Sequence, residues 1–197
     1  MIKKLFPLLA IALMVAACGP RQQAADEAEV TEGLLVDANQ QAFFNNLASL
    51  CGQSFAGDEV YMIPENESWG HLDFVMHVTV CEDDHLHIPF HLSEDRSRTW
   101  MFLVEDGKLR FRHDHRHEDG TPDEVTMYGG YATDQGTPFV QYFPADEYTC
   151  ELIPYACTNE WIVMIAEDFS KFTYRLTRGG VMRFEAEFDL TNPIIAE

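Results

Sequence analysis

Eight histidines stand in this chain of 197 residues, and seven of them fall between His77 and His117. His113, His115 and His117 alternate along one segment, and Arg96, Arg98 and Trp100 alternate along the segment before it. Alternate residues of an extended chain share a face. Three imidazoles on one face suit zinc, copper or the iron of a haem, although neighbours on one strand face stand about 7 Å apart and need further ligands from adjacent strands. Two guanidinium groups beside them suit a different chemistry, because each can grip a carboxylate through two parallel hydrogen bonds. Above an apolar chamber, such a group recognises the head of a partly apolar anion. A third reading makes Asp95, Arg96, Arg98, Asp114, Arg116, Glu118 and Asp119 a solvated ion network at a rim. General acid–base work by His113 or His115 beside Asp114 or Glu118 is a fourth, the chemistry of an isomerase or lyase.

His77, His85, His87 and His91 form a separate set. Their alternation places them on the opposite, outer face, where Glu82, Asp83 and Asp84 could help them collect metal ions at the surface. Other chemistries lack their residues: there is no Gly-rich phosphate loop, no Gly-x-Ser-x-Gly elbow and no Cys-x-x-Cys pair. No catalytic residue is assigned, and no cofactor is expected beyond the zinc, copper or haem of the alternative reading. With 13 basic residues against 33 acidic ones and a formal charge of −20, the chain has no basic patch for nucleic acid.

The elements that must position these residues begin after a targeting segment. Lys3 and Lys4 precede an apolar run over residues 5–17 that is too short to span a bilayer, the pattern of a secretory signal peptide. The run ends Val15-Ala16-Ala17-Cys18, which resembles the lipobox of bacterial lipoproteins. That resemblance implies cleavage before Cys18, acylation of Cys18 and attachment to a membrane through the lipid, in the bacterial envelope. Gly19 in place of aspartate points to the outer membrane, facing the periplasm. Residues 18–36, rich in Gln, Ala, Asp and Glu, read as a flexible tether.

Residues 37–197 form one domain. Asp37-Ala38-Asn39-Gln40 has the form of a capping box, and Phe43, Leu47 and Leu50 follow at helical spacing up to Gly52. Beyond it the apolar period is two, broken by turn clusters at Glu82-Asp83-Asp84, Asp106-Gly107, Asp134-Gln135-Gly136 and Gly179-Gly180. A two-residue loop at Asp106-Gly107 sets Phe102 against Phe111, Trp100 against His113 and Arg98 against His115. A three-residue loop at Gly179-Gly180-Val181 sets Leu176 against Phe184, Tyr174 against Ala186, Arg175 against Glu185 and Lys171 against Asp189. The turn after Val80 sets Val80 against Leu86, Val78 against Ile88 and Met76 against Phe90.

These strands predict a mainly β chain: an antiparallel up-and-down β-barrel of about ten strands with one N-terminal helix, since closure removes the exposed edges. One helix leading into a strand meander resembles the calycin superfamily of lipocalins and fatty-acid-binding proteins, which implies a barrel that binds a small molecule. The text Asp95-Arg96-Ser97-Arg98-Thr99-Trp100, with His113 to Gly120 and Tyr128-Gly129-Gly130, resembles a family of uncharacterised bacterial secreted proteins, which supplies no activity. Besides Cys18 the chain has Cys51, Cys81, Cys150 and Cys157, an even set for an exported domain. The short proline-containing segment between Cys150 and Cys157 favours their pairing and leaves Cys51 for Cys81. A free thiolate beside a histidine is the catalytic alternative.

Overall fold

Asp37 opens the first helix: its carboxylate accepts hydrogen bonds from the backbone N–H of Asn39 (2.8 Å) and Gln40 (2.9 Å). The computed structural model describes residues 34–195; the signal segment, Cys18 and the tether up to residue 33 lie outside the described residues. Helix α1 (Ala38–Ala48) buries Phe43, Phe44 and Leu47. Gln40 departs from the expected capping box. Its side chain turns into the fold, accepting from the Leu109 N–H (2.9 Å) and donating to the Thr133 carbonyl (3.4 Å), so it clamps α1 to the strands.

The strands are β1 (Ser54–Met62), β2 (Phe74–His77), β3 (Val80–Cys81), β4 (His85–Leu92), β5 (Asp95–Glu105), β6 (Lys108–His115), β7 (Tyr128–Tyr131), β8 (Val140–Pro144), β9 (Asn159–Ile165), β10 (Lys171–Arg178) and β11 (Val181–Asp189). A short helix α2 (Glu147–Leu152) and a single 3-10 turn (Pro154–Ala156) lie between β8 and β9. Every described ladder is antiparallel, and ten strands follow one path, β7-β6-β5-β4-β2-β1-β11-β10-β9-β8, with β3 beside β4. The path nearly closes. Between its two end strands the Thr133 N–H donates to the Tyr142 carbonyl and the Asp146 N–H to the Gly129 carbonyl, both at 3.0 Å. Close approach is possible because β7 carries Gly129 and Gly130: a Cβ on Gly130 would be driven into the Pro144 carbonyl oxygen, and one on Gly129 into that of Phe111. Thr149 stitches α2 to the same point, accepting from the Gly129 N–H (2.7 Å) and donating to the Gly129 carbonyl (2.8 Å).

Two of the three expected hairpin registers are seen. Arg98 pairs with His115, Trp100 with His113 and Phe102 with Phe111, around an Asp106-Gly107 turn whose residues both have positive φ (52° and 73°). Leu176 pairs with Phe184 and Tyr174 with Ala186. The loop there is Gly179-Gly180 alone, with Arg178 opposite Val181, and a bulge beyond Leu176 supplies the extra residue that a three-residue loop was expected to supply. The third register is corrected in part. Met76 does face Phe90, but Val80 faces His87, and Cys81 faces Leu86. Val78 leaves β4 to exchange hydrogen bonds with the turn after α1, Gly52 N–H to Val78 carbonyl (2.8 Å) and Val78 N–H to Gln53 carbonyl (2.9 Å), which inserts a residue into the ladder. Disulfides join Cys51 to Cys81 and Cys150 to Cys157.

The interior is filled at one end. Phe102, Phe111 and Phe143 are fully buried and touch one another at ring separations of 4.9–6.1 Å, Phe172 and Phe188 pair at 5.9 Å, and Phe43 of α1 packs against Phe102 (6.2 Å). Among the described residues no helix is long and apolar enough to cross a membrane.

Candidate functional site

Above that aromatic floor the barrel is open, with a cavity of about 340 Å³ in its other half. The strands place its wall by simple alternation: β5 contributes Arg98 and Trp100, β6 His115 and His113, β10 Arg178, Leu176 and Tyr174, and β9 Asn159 and Trp161. Tyr128, Phe90, Phe184 and Arg183 continue it, and the segment between Cys150 and Cys157 adds Ile153, Tyr155 and Ala156. On the remaining side Trp69 packs against Phe184 (5.4 Å) with the Arg98 guanidinium over its ring (5.5 Å). Glu59 fixes that loop by accepting from the Ser68 hydroxyl and the Trp69 N–H.

Four of the six expected ligand residues share this cavity: Arg98, Trp100, His113 and His115. Arg96 and His117 do not. A bulge between β4 and β5, where Phe90 faces Arg98 but Leu92 faces Asp95, breaks the alternation that would have turned Arg96 inward. Arg96 is exposed, and its charge acts on His77 and His91 of the outer face. His117 follows the end of β6 in an exposed turn, its N–H bonded to the Thr121 carbonyl. Sequence reasoning missed Arg178, Arg183, Asn159, Trp161, Tyr128 and Tyr174 as wall residues. A signal existed for one, since Phe172, Tyr174 and Leu176 form a core stripe whose next alternate member is Arg178.

The polar groups of the wall are ordered. His113 is buried, and burial pushes its pKa down to about 3, so the ring is neutral at physiological pH. Its Nδ1 lies 3.2 Å from the Tyr128 carbonyl, which can only accept, so Nδ1 carries the proton and the bare Nε2 accepts from the Tyr174 hydroxyl (2.8 Å). His115 Nε2 pairs with the Tyr128 hydroxyl (3.0 Å), and burial, then the Arg98 charge, lowers its pKa. Burial drives both tyrosines upward, Tyr128 to about 12. Ring faces are stacked on each other: Trp100 lies between Phe90 (4.6 Å) and Tyr174 (4.7 Å), and His113 on Tyr128 (4.5 Å).

The cations are less fully paired. Arg98 pairs with Asp95; burial would raise that carboxyl, but hydrogen bonds from Ser97 and Arg98 overcome it and hold its pKa at about 2. Arg178 donates to the Asn159 side-chain oxygen (2.7 Å) and lies over Tyr155 (4.9 Å). Among the described residues neither Arg178 nor Arg183 has a carboxylate partner, and the Arg183 Nε has no acceptor. Of the expected rim network, Arg98–Asp95 and Arg116–Asp114 (2.8 Å) are formed.

The second histidine set lies half-buried on the outer wall, His77 Nε2 beside His91 Nδ1 (2.9 Å) and His85 on Asp84 (2.6 Å). Among the described residues no three His, Cys, Asp or Glu side chains converge as a metal ion requires.

No protein-family model matches the chain, and no curated protein matches it in sequence. A solved structure described as a redesigned beta barrel is similar over 73% of this chain and 93% of its own, at 10% identity and a TM-score of 0.30. The barrel assignment rests on the ladders of this chain itself.

Proposed function

We propose that this barrel binds a small, partly apolar anion while held to the bacterial envelope by a lipid on Cys18. The observation that carries the reading is the charge of the wall. In a chain with 33 acidic and 13 basic residues, the cavity is lined by three arginines and by no aspartate or glutamate. Arg178 and Arg183 are half-buried without a carboxylate partner among the described residues, a cost that an anionic ligand would relieve, and the aromatic remainder of the wall suits an apolar body. The resemblance to calycins and the resemblance of Val15-Ala16-Ala17-Cys18 to a lipobox support a tethered, periplasm-facing carrier at the outer membrane.

The site reads as binding rather than catalytic. A ring held at a pKa near 3, with its one proton given to a carbonyl, is poorly suited to general acid–base exchange at neutral pH. Native mass spectrometry of the full-length protein for a co-purifying acid tests the proposal, with Arg178→Gln plus Arg183→Gln as the control. The double variant should weaken retention by about 2–4 kcal/mol in total; a co-purifying acid retained equally by the variant would sink it. Anchoring is tested separately: Cys18→Ser should release the protein from membranes, and continued fractionation with them after a salt wash would refute the lipid.

A further inference from the structure

The anion-binding reading leaves open what lies beyond the anionic group, and the hydrogen bonds of the cavity floor restrict it. The Tyr174 hydroxyl proton is given to His113 Nε2, because His113 Nδ1 must spend its own proton on the Tyr128 carbonyl. The phenol oxygen therefore has no proton to offer a ligand. It keeps lone pairs that accept. A carboxylate driven to the floor would meet those lone pairs and a ring nitrogen without a free proton. At the other end stand Arg98, Arg178 and Arg183, beside the turns that open the barrel. Polarity thus runs from cationic donors at the mouth to an acceptor at the floor. The floor is filled as well: Phe172 packs against Trp100 (5.9 Å) and Phe111 against Tyr174 (6.3 Å), so side chains occupy the interior below them. Aromatic walls favour a rigid ring, which meets them edge to face and loses little conformational freedom.

We infer that the cavity selects a compact, ring-bearing acid whose far end carries a hydrogen-bond donor, a hydroxyaryl carboxylate, held acid-outward at Arg178 and Arg183 and donor-inward at Tyr174. This inference rests on the anion-binding reading and narrows it.

Calorimetric titration of the full-length protein with hydroxyphenylpropionate, phenylpropionate and octanoate measures the preference. The hydroxylated acid should bind about tenfold more tightly than phenylpropionate, the effect of one buried hydrogen bond. Tyr174→Phe should weaken hydroxyphenylpropionate more than phenylpropionate and bring their ratio to about one. Nitrogen NMR of the unsubstituted protein supplies a check that needs no variant to fold: His113 should carry its proton on Nδ1. A proton on Nε2 would free the Tyr174 hydroxyl to donate and overturn the inference. Equal affinity for the three acids would overturn it too, while the anion-binding reading stands. If none of the three binds the unsubstituted protein, the anion-binding reading itself is lost.

Discussion

His113 is neutral because it is buried, and the same burial makes it a weakness in acid. Its pKa is about 3 in the fold against 6.5 in the unfolded chain. Above 6.5 both states carry a neutral ring, so nothing is lost. Below it the unfolded chain takes up a proton that the folded chain refuses, and stability falls by about 1.4 kcal/mol per pH unit until the folded ring titrates. Between neutral pH and about pH 5 the unsubstituted protein should lose about 2 kcal/mol more stability in urea melts than His113→Gln. Equal losses would mean that His113 is not the group responsible. At this scale the sequence was informative where alternation was unbroken, as for Arg98, Trp100, His113 and His115. It misled at Arg96, because a bulge is a property of two strands together and leaves no mark in one.

The turns were legible for a local reason. Asp106-Gly107 and Gly179-Gly180 are dipeptides that accept positive φ, and the loop conformation follows from that demand. The break at Val78 was not legible, since its new partners, Gly52 and Gln53, come from another part of the chain. The strap between Cys150 and Cys157 supplies Ile153, Tyr155 and Ala156 to the cavity, so that disulfide should matter to the ligand more than to the fold. Replacing both cysteines by serine should weaken acid binding by about tenfold, through the cost of ordering a freed loop, while the barrel still melts cooperatively. The bridge between Cys51 and Cys81 closes a longer loop and ties the turn after α1 to β3; its loss should cost about 3 kcal/mol of stability. Comparison of the two variants by calorimetric melting and titration separates these roles, and identical profiles would contradict the assignment. Gly130→Ala should destabilise the barrel seam by about 1–3 kcal/mol, since the Pro144 carbonyl would have to move; an unchanged melting temperature would show the seam to be loose.

Across the whole molecule, a formal charge of −20 repels an approaching anion, against the local pull of Arg98, Arg178 and Arg183. The repulsion is long-range and is screened at ionic strengths near 0.1 M, where the Debye length is about 10 Å, whereas contacts inside the cavity are screened much less. The association rate of an acid should therefore rise as salt is added from a low level, the reverse of a basic binding protein. Stopped-flow titration with a fluorescent acid at increasing sodium chloride checks the sign, and a falling rate would place the local field of the arginines above that of the whole surface.

The described chain enters the barrel at its sealed end. The Val36 N–H donates to the Gly107 carbonyl (2.9 Å) at the β5–β6 turn, beside α1 and on the side away from Arg98, Arg178 and Arg183. The first described residues therefore join the barrel at its base, and a solute reaches the arginines of the mouth without displacing them.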